Sequence, residues 1–219
     1  MNKTKIPGVF KVKNQLFTQN PLCYKGLKVY NEKIVKFKDN EFRSWNPFRS
    51  KLSAAILNGL EIEIKSDYNI LYLGAATGTT VSHISDIVQN GIIYSVEISP
   101  VAVISLLKLS KTRKNVIPIL ADANHPERYS HIVTSVDLIY QDISQRNQSA
   151  IFISNVTRYL KKQGIGILMV KARSIDVSLK PKKVYDIVCS ELEHNGLKTI
   201  DRIDLMPYEK DHAALVISN

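Results

Sequence analysis

The stretch LYLGAATGTTVSH, Leu71–His83, decides how the rest of the chain is read. An apolar run stops at Gly74. The chain then turns through Ala75, Ala76, Thr77 and Gly78, and residues compatible with a helix follow from Thr79 and Thr80. A strand, a tight turn and a helix in that order predict a ligand-holding edge, because open α/β sheets bind ligands at the carboxyl ends of their strands. The spacing Gly74-x-x-x-Gly78 lacks the central glycine of a GxGxxG fingerprint, which lets the backbone approach a pyrophosphate. It also lacks the GKS or GKT of a triphosphate-binding loop, so no lysine is placed for a phosphate chain.

Outward from this turn, strands and helices alternate. Strands are predicted over Ile70–Leu73, Ile92–Glu97, Val116–Leu120, Val136–Gln141 and Gly166–Val170. Helices are predicted over Thr79–Gln89, Pro100–Lys111 and Ser144–Leu160, with a short one near Pro126–Ile132 and another in KPKKVYDIVCSELEHNG, stopped by Gly196. This alternation implies a parallel sheet with helices on both faces. The last two strand-like runs, LKTIDRIDL and HAALVISN, are joined only by MPYEKD. That is too short for a parallel crossover, so the final strand must run antiparallel. The result is an α/β chain with a mostly parallel seven-stranded sheet ending in an antiparallel hairpin. Such a sheet resembles the Rossmann-like fold of S-adenosylmethionine-dependent methyltransferases.

Before this unit, the runs GVFKVK, LFTQN, LKVYNEKIVKF and EFRSW are broken by Asn20-Pro21 and Lys38-Asp39-Asn40. They read as a small meander or pair of hairpins, followed by a helix in NPFRSKLSAAILNGL. The expected division is a small N-terminal β-domain over 1–45 and the methyltransferase-like domain over 46–219.

Acidic residues fall at the ends of the predicted strands. Glu97 lies 23 residues after Gly74, where a carboxylate can accept hydrogen bonds from both hydroxyls of a ribose. Asp122 ends the third strand, within reach of an adenine amino group, and Asp142 ends the fourth. An adenosine without a phosphate chain fits this set, and S-adenosyl-L-methionine is the candidate. Gly74 and Ala75 of the turn would lie against it.

Topology brings four ionisable residues to the same edge. Asp142 closes the fourth strand and Lys171 the fifth, directly after the apolar run ILMV. His212 opens the last strand, whose antiparallel direction puts its start beside the other strands' ends. Lys51 lies in the first turn of the helix preceding the first strand, and such helices run against the strands. These groups suit methyl transfer to a hydroxyl, which is a poor nucleophile until a base removes or holds its proton. Lys171 is the first candidate for that base. A neighbouring Lys51 favours its neutral form, while Asp142 favours its charged form and fixes its direction; the sequence leaves the balance open. His212 can position the acceptor ribose or pass the proton on.

Bulk properties fit this picture. The chain has 219 residues, 44% apolar and 23% charged, as in an ordinary globular protein. No apolar run long enough for a membrane span occurs, and the N-terminus MNKTKIPGVFKVKN has no signal-peptide core, so the expected location is the cytoplasm, or a nucleus if the source has one. Cys23 and Cys189 are read as reduced thiols, and no cluster has zinc-ligand spacing. A net charge of +10 favours a polyanionic partner.

The blocks RSWNPFRSKLSAAI, LYLGAATGTTVSHISD, IYSVEISP, ADANHPERY, YQDISQRNQ, VKARSID and EKDHAALV, in that order over nearly the whole chain, resemble fibrillarin of the compact archaeal type. That resemblance implies an RNA 2′-O-ribose methyltransferase acting on rRNA, with tRNA as a second target, within a box C/D guide ribonucleoprotein. It implies cofactor contacts at Thr79, Thr80, Glu97, Ile98, Asp122, Ala123, Asp142, Ile143, Ser144 and Gln145. It further implies a catalytic set of Lys51, Asp142, Lys171 and His212, the four that topology had already gathered. The implied partners are the guide RNA with its target, a Nop-family scaffold protein and a kink-turn-binding protein. The departures are small: DISQ stands for the usual DVAQ or DIAQ, and WNPFRSK for WDPRRSK. No RNA-reading module is recognisable, so a basic surface would contact phosphates without reading sequence, with Arg43, Arg49, Arg173 and Lys180-Pro181-Lys182-Lys183 as candidates. Two other readings stay open. A standalone RNA 2′-O-methyltransferase would be expected to carry a glutamate where His212 stands. A non-catalytic particle subunit would have no need of the intact set.

Overall fold

The computed structural model describes residues 2–218; Met1 and Asn219, the outer ends of the two expected domains, lie outside the described residues. The N-terminal segment forms a five-stranded antiparallel sheet of β1 (Asn2–Lys3), β2 (Val9–Val12), β3 (Gln15–Asn20), β4 (Ile34–Phe37) and β5 (Asn40–Trp45), in the order β1-β2-β3-β5-β4. Helix α1 (Lys51–Leu57) follows, with the Ser50 hydroxyl accepting from the Ser53 N–H at its start.

The main sheet is built from β6 (Ile70–Leu73), β7 (Ile93–Glu97), β8 (Val116–Leu120), β9 (Val136–Gln141), β10 (Leu160–Lys171), β11 (Lys198–Asp204) and β12 (His212–Ser218). Their order is β11-β12-β10-β9-β6-β7-β8. Strands β6 to β10 run parallel, and β12 is antiparallel to both of its neighbours. All four residues of β6 are buried, as expected of a central strand covered on both faces. The connecting helices are α2 (Thr79–Ile87), α3 (Pro100–Thr112), α4 (Gln148–Tyr159), the short α5 (Ala172–Ile175) and α6 (Pro181–His194). One core joins α1, α2, α3 and the N-terminal sheet to one face of the main sheet, through Leu16, Trp45, Leu52, Ile84 and Leu106 among others. The other face packs on α4 and α6 through Phe152, Val156, Val184 and Val188. Strand order reverses at β6, which has β7 on one side and β9 on the other. The crevice opens at that switch point.

Three elements differ from the sequence reading for local reasons. Helix α4 starts at Gln148 rather than Ser144, because Asp142–Asn147 runs as a loop that lines the crevice. Strand β10 begins at Leu160, and its pairing with β9 shifts register between Leu160 and Ile165. Of LKVYNEKIVKF, only Ile34–Phe37 is strand. The preceding turn closes on Glu32, whose buried carboxylate accepts the Val29 and Tyr30 N–H groups.

The two sheets are joined through a buried charged cluster. Arg43 of β5 is fully buried; its Nε donates to Glu32 at 2.7 Å and its Nη1 to Asp86 of α2 at 2.7 Å. Arg113 donates to the other Asp86 oxygen at 2.6 Å. The Thr18 hydroxyl donates to Asp86 at 2.6 Å, so it accepts from His83 Nδ1, 2.8 Å away. His83 is then neutral with its Nε2 facing the Tyr30 hydroxyl, and its ring stacks on Trp45 at a centroid distance of 4.9 Å. Two arginines balance two carboxylates, so removing one partner leaves an uncompensated buried charge.

Arg43→Met is therefore expected to lower unfolding free energy by about 3–5 kcal/mol in urea melts. A stability loss below about 1 kcal/mol would show that the cluster is not what joins the sheets. Burial, then the charges of Arg43 and Arg113, hold the His83 imidazole well below its ordinary range. The folded state thus binds fewer protons than the unfolded one below about pH 6.5, so stability is full above that pH and falls as pH is lowered. Melts at pH 7 and pH 5 should show a drop of up to about 1.4 kcal/mol per pH unit, with a shallower slope in His83→Gln.

Candidate active site

The crevice is shaped first by glycine. Gly74 sits at φ +81°, and a Cβ there would lie 2.3 Å from the Asp142 carbonyl oxygen. No side chain fits, and the turn after β6 therefore runs against the end of β9. Ala76 is also left-handed, at φ 47°, and its N–H donates to Glu97 at 2.8 Å. The second Glu97 oxygen accepts from the Ser99 N–H at 2.9 Å. Both oxygens are thereby fixed, and each keeps a further lone pair for a ligand hydroxyl.

The cavity so formed measures about 250 Å³. Gly74, Glu97 and Ile98 line one side, Asp122 and Ala123 another, and Asp142, Ile143, Ser144 and Gln145 the third. Ala76, Val96, Ala121, Asn124 and Ile151 also line it; none of these was singled out from sequence. Asn124 had a signal, since it stands beside Asp122 in ADANH. Its backbone and side-chain N–H groups, both at 2.9 Å, hold the Asp122 carboxyl below its usual range. Asn124 also donates to Gln145 at 3.0 Å, tying the loops after β8 and β9 together. Ile98 leaves 55% of its surface exposed at the rim, an apolar face a flat ring can cover. Carboxylates at the ends and apolar walls between them fit an adenosine and offer nothing to a phosphate chain.

Three residues expected to contact the cofactor do not line this cavity. Ala75 is buried in the core beneath the turn. Thr80 is buried, its hydroxyl donating to Ser50 at 2.9 Å. Thr79 lines a separate cleft with Lys28, Tyr30 and Lys108.

The four ionisable residues meet at the same edge. Lys51, the first residue of α1, donates to Asp142 at 2.6 Å, with both side chains about four-fifths buried. Lys171 ends β10 directly opposite His212 in the β10–β12 register. The buried Gln148 grips the Lys171 backbone, accepting its N–H at 3.1 Å and donating to its carbonyl at 3.2 Å. Asp142 pairs with Lys51 rather than Lys171. Among the described residues the Lys171 amine has no hydrogen-bond or ion-pair partner. His212 Nδ1 lies 2.7 Å from the Lys210 carbonyl, which can only accept, so Nδ1 carries the proton and Nε2 keeps its lone pair. Burial pushes the His212 imidazole below its ordinary range. The Lys210 hydrogen bond opposes that shift, and the Lys51 charge adds to it.

The expected basic surface needs correction at Arg43, which is inside the fold because Glu32 and Asp86 neutralise it there. Arg49 lies over the Tyr30 ring at 4.9 Å, Arg173 pairs with Asp211 at 3.0 Å, and Lys180, Lys182 and Lys183 are exposed.

Comparison with known proteins agrees with this geometry. The fibrillarin family model matches residues 1–219. The chain is 47% identical over 211 residues to the fibrillarin-like rRNA/tRNA 2′-O-methyltransferase of Methanothermobacter thermautotrophicus, covering 96% of this chain and 93% of that one. It superposes on the fibrillarin of a fibrillarin/Nop5p complex with a TM-score of 0.91 and 43% identity, over 99% of this chain and all of that one. Aeropyrum pernix fibrillarin, solved with natively bound S-adenosyl-L-methionine, matches with a TM-score of 0.84 and 40% identity over 95% and 92% of the two chains. A chain with this sheet, this glycine-shaped crevice and these relatives belongs to the fibrillarin family.

Proposed function

We propose that this protein methylates the 2′-hydroxyl of RNA ribose, using S-adenosyl-L-methionine, as the catalytic subunit of a box C/D guide ribonucleoprotein. The observation that carries the reading is the meeting of Lys51, Asp142, Lys171 and His212 at the edge that holds the cavity lined by Glu97 and Asp122. Its targets are rRNA and tRNA, as the names of its relatives indicate for them.

The cofactor, when bound, supplies an electrophilic methyl group. Glu97 would accept its ribose hydroxyls, and Asp122 its adenine amino group. Gly74, Ile98, Ala123 and the Ile143–Gln145 loop would wall it in. Lys51 holds Asp142 by an ion pair, which keeps the loop after β9 in place. The unpaired Lys171 amine is the group able to hold or take the acceptor hydroxyl's proton. The neutral His212 offers Nε2 to orient the acceptor ribose. With the hydroxyl held in line, much of the barrier is met by positioning.

We read residues 1–45 as a β-domain fused to a 46–219 catalytic domain. Target choice is assigned to base pairing with the guide. A Nop-family scaffold and a kink-turn-binding protein would bring the duplex to the enzyme, and the relative solved with Nop5p supports the first of these. Among the described residues no helix is long and apolar enough to cross a membrane. We place the assembly in the cytoplasm.

Labelled S-adenosyl-L-methionine and a guide-matched RNA test the reading, with and without scaffold, kink-turn protein and guide. Transfer to one ribose is expected only in the full assembly, with Lys171→Ala lowering the rate about 100- to 10,000-fold. Strong transfer by the protein alone would make it a standalone enzyme; cofactor binding without transfer in any condition would make it an inactive subunit. Separately, Glu97→Ala should weaken cofactor affinity about 10- to 100-fold by equilibrium dialysis, because it removes a charged acceptor of two hydrogen bonds. An unchanged affinity would remove Glu97 from the cofactor site.

A further inference from the structure

Beside the catalytic edge lies a groove that the cofactor cavity does not use. It measures about 570 Å³ and is lined by Leu16, Trp45, Phe48 and Tyr208, with Gln15 and Lys33 among its polar members. Phe48 leaves 63% of its surface exposed. Its ring meets Tyr208 edge-on, with centroids 5.3 Å apart and planes at 72°. The backbone segments that carry both rings are tied down. The Phe48 N–H donates to the Asn46 side chain at 2.9 Å, and the Arg49 N–H to the Asn46 carbonyl at 3.1 Å. The connection carrying Tyr208 is pinned by Asn58, whose amide donates to the Asp204 and Met206 carbonyls at 2.7 Å each.

Both rings stand on the segments that carry proposed catalytic residues. Phe48 precedes Lys51 by three residues and Tyr208 precedes His212 by four. Chain geometry alone keeps the Cα atoms of each pair within about 11 Å and 14 Å.

We propose that the Phe48–Tyr208 pair is a stacking platform for a nucleobase of the target RNA strand next to the methylated nucleotide. This rests on the RNA-methylating reading above. The strand must cross this edge for its ribose to reach Lys171, and the exposed Lys33 and Lys210 give that edge the charge a phosphate backbone needs. An exposed aromatic face beside cations is the feature that holds single-stranded bases without reading their identity. Stacking one neighbour fixes the next ribose, so Phe48 and Tyr208 are positioning residues.

The test uses the full guide assembly with target RNAs carrying 2-aminopurine at each nucleotide flanking the methylated one. Wild type should quench the fluorescence at one flanking position. Phe48→Ala should lose that quench and raise KM for target RNA about 5- to 100-fold, with kcat changed less and cofactor affinity unchanged. Phe48→Trp should restore both. Equal quenching and equal KM in wild type and Phe48→Ala would overturn the platform while leaving methyl transfer intact. Loss of scaffold affinity in Phe48→Ala, measured without RNA, with KM for RNA unmoved, would overturn it in favour of a protein contact. Absence of transfer by the wild-type assembly would instead sink the underlying function.

Discussion

Everything at the proposed catalytic edge depends on one close approach, that of the Gly74 backbone to the Asp142 carbonyl. It exists because β6 and β9 are neighbours and both end there. A side chain at position 74 would push the two ends apart, and with them the two walls of the cavity. The same contact sets where the Asp142 carboxylate stands, and hence where the Lys51 ammonium is held. Lys51 begins α1, whose capping Ser50 also accepts from Thr80 in the first turn of α2. One backbone contact is thus passed through two hydrogen bonds to the helix that joins the N-terminal sheet to the rest.

The N-terminal sheet is attached by charge as much as by apolar packing. Arg43, Glu32, Asp86 and Arg113 form a balanced buried set, and Thr18, Tyr30 and His83 extend its hydrogen bonds, while Arg113 Nη2 stays without a hydrogen-bond partner among the described residues. Such a cluster gives modest net stability but tolerates little displacement, because each member is costly when left alone. It therefore fixes direction. The sheet is held so that the chain leaving β5 reaches the catalytic edge within the few residues from Asn46 to Lys51.

Much of this was legible in the sequence, for physical reasons. Buried parallel strands are written as continuous apolar runs, so β6, β7, β8 and β9 were found nearly to the residue. The short MPYEKD link fixed the antiparallel last strand, and that direction put His212 beside Lys171. Less legible was anything set by side-chain hydrogen bonds across the chain. Arg43 looked like a surface cation because nothing local announces Glu32 and Asp86 as partners. The start of α4 was placed too early because Ser144 and Gln145 are acceptable in a helix. Only the neighbouring loops show that they line a cavity instead. Thr79 and Thr80 read as a pair, yet successive helical residues point about 100° apart, so Thr79 faces a cleft while Thr80 is buried against Ser50.

The placement of β12 has a consequence for how the protein comes together. It follows β11 in the chain yet lies inside the sheet, between β11 and β10. Until it is seated, β10 presents an open edge rich in apolar residues, a site for mispairing with another chain. Because a short connection joins β11 to β12, the two can close as a hairpin and add to β10 as one unit. Seven aligned pairs, from Ile165–Ser218 to Lys171–His212, then hold it there. Both faces of β12 are buried, so a slip by one residue would exchange Ala214 and Val216 with Ala213, Leu215 and Ile217 between two differently packed cores, which disfavours any other register. Closing the sheet and presenting His212 beside Lys171 are the same event.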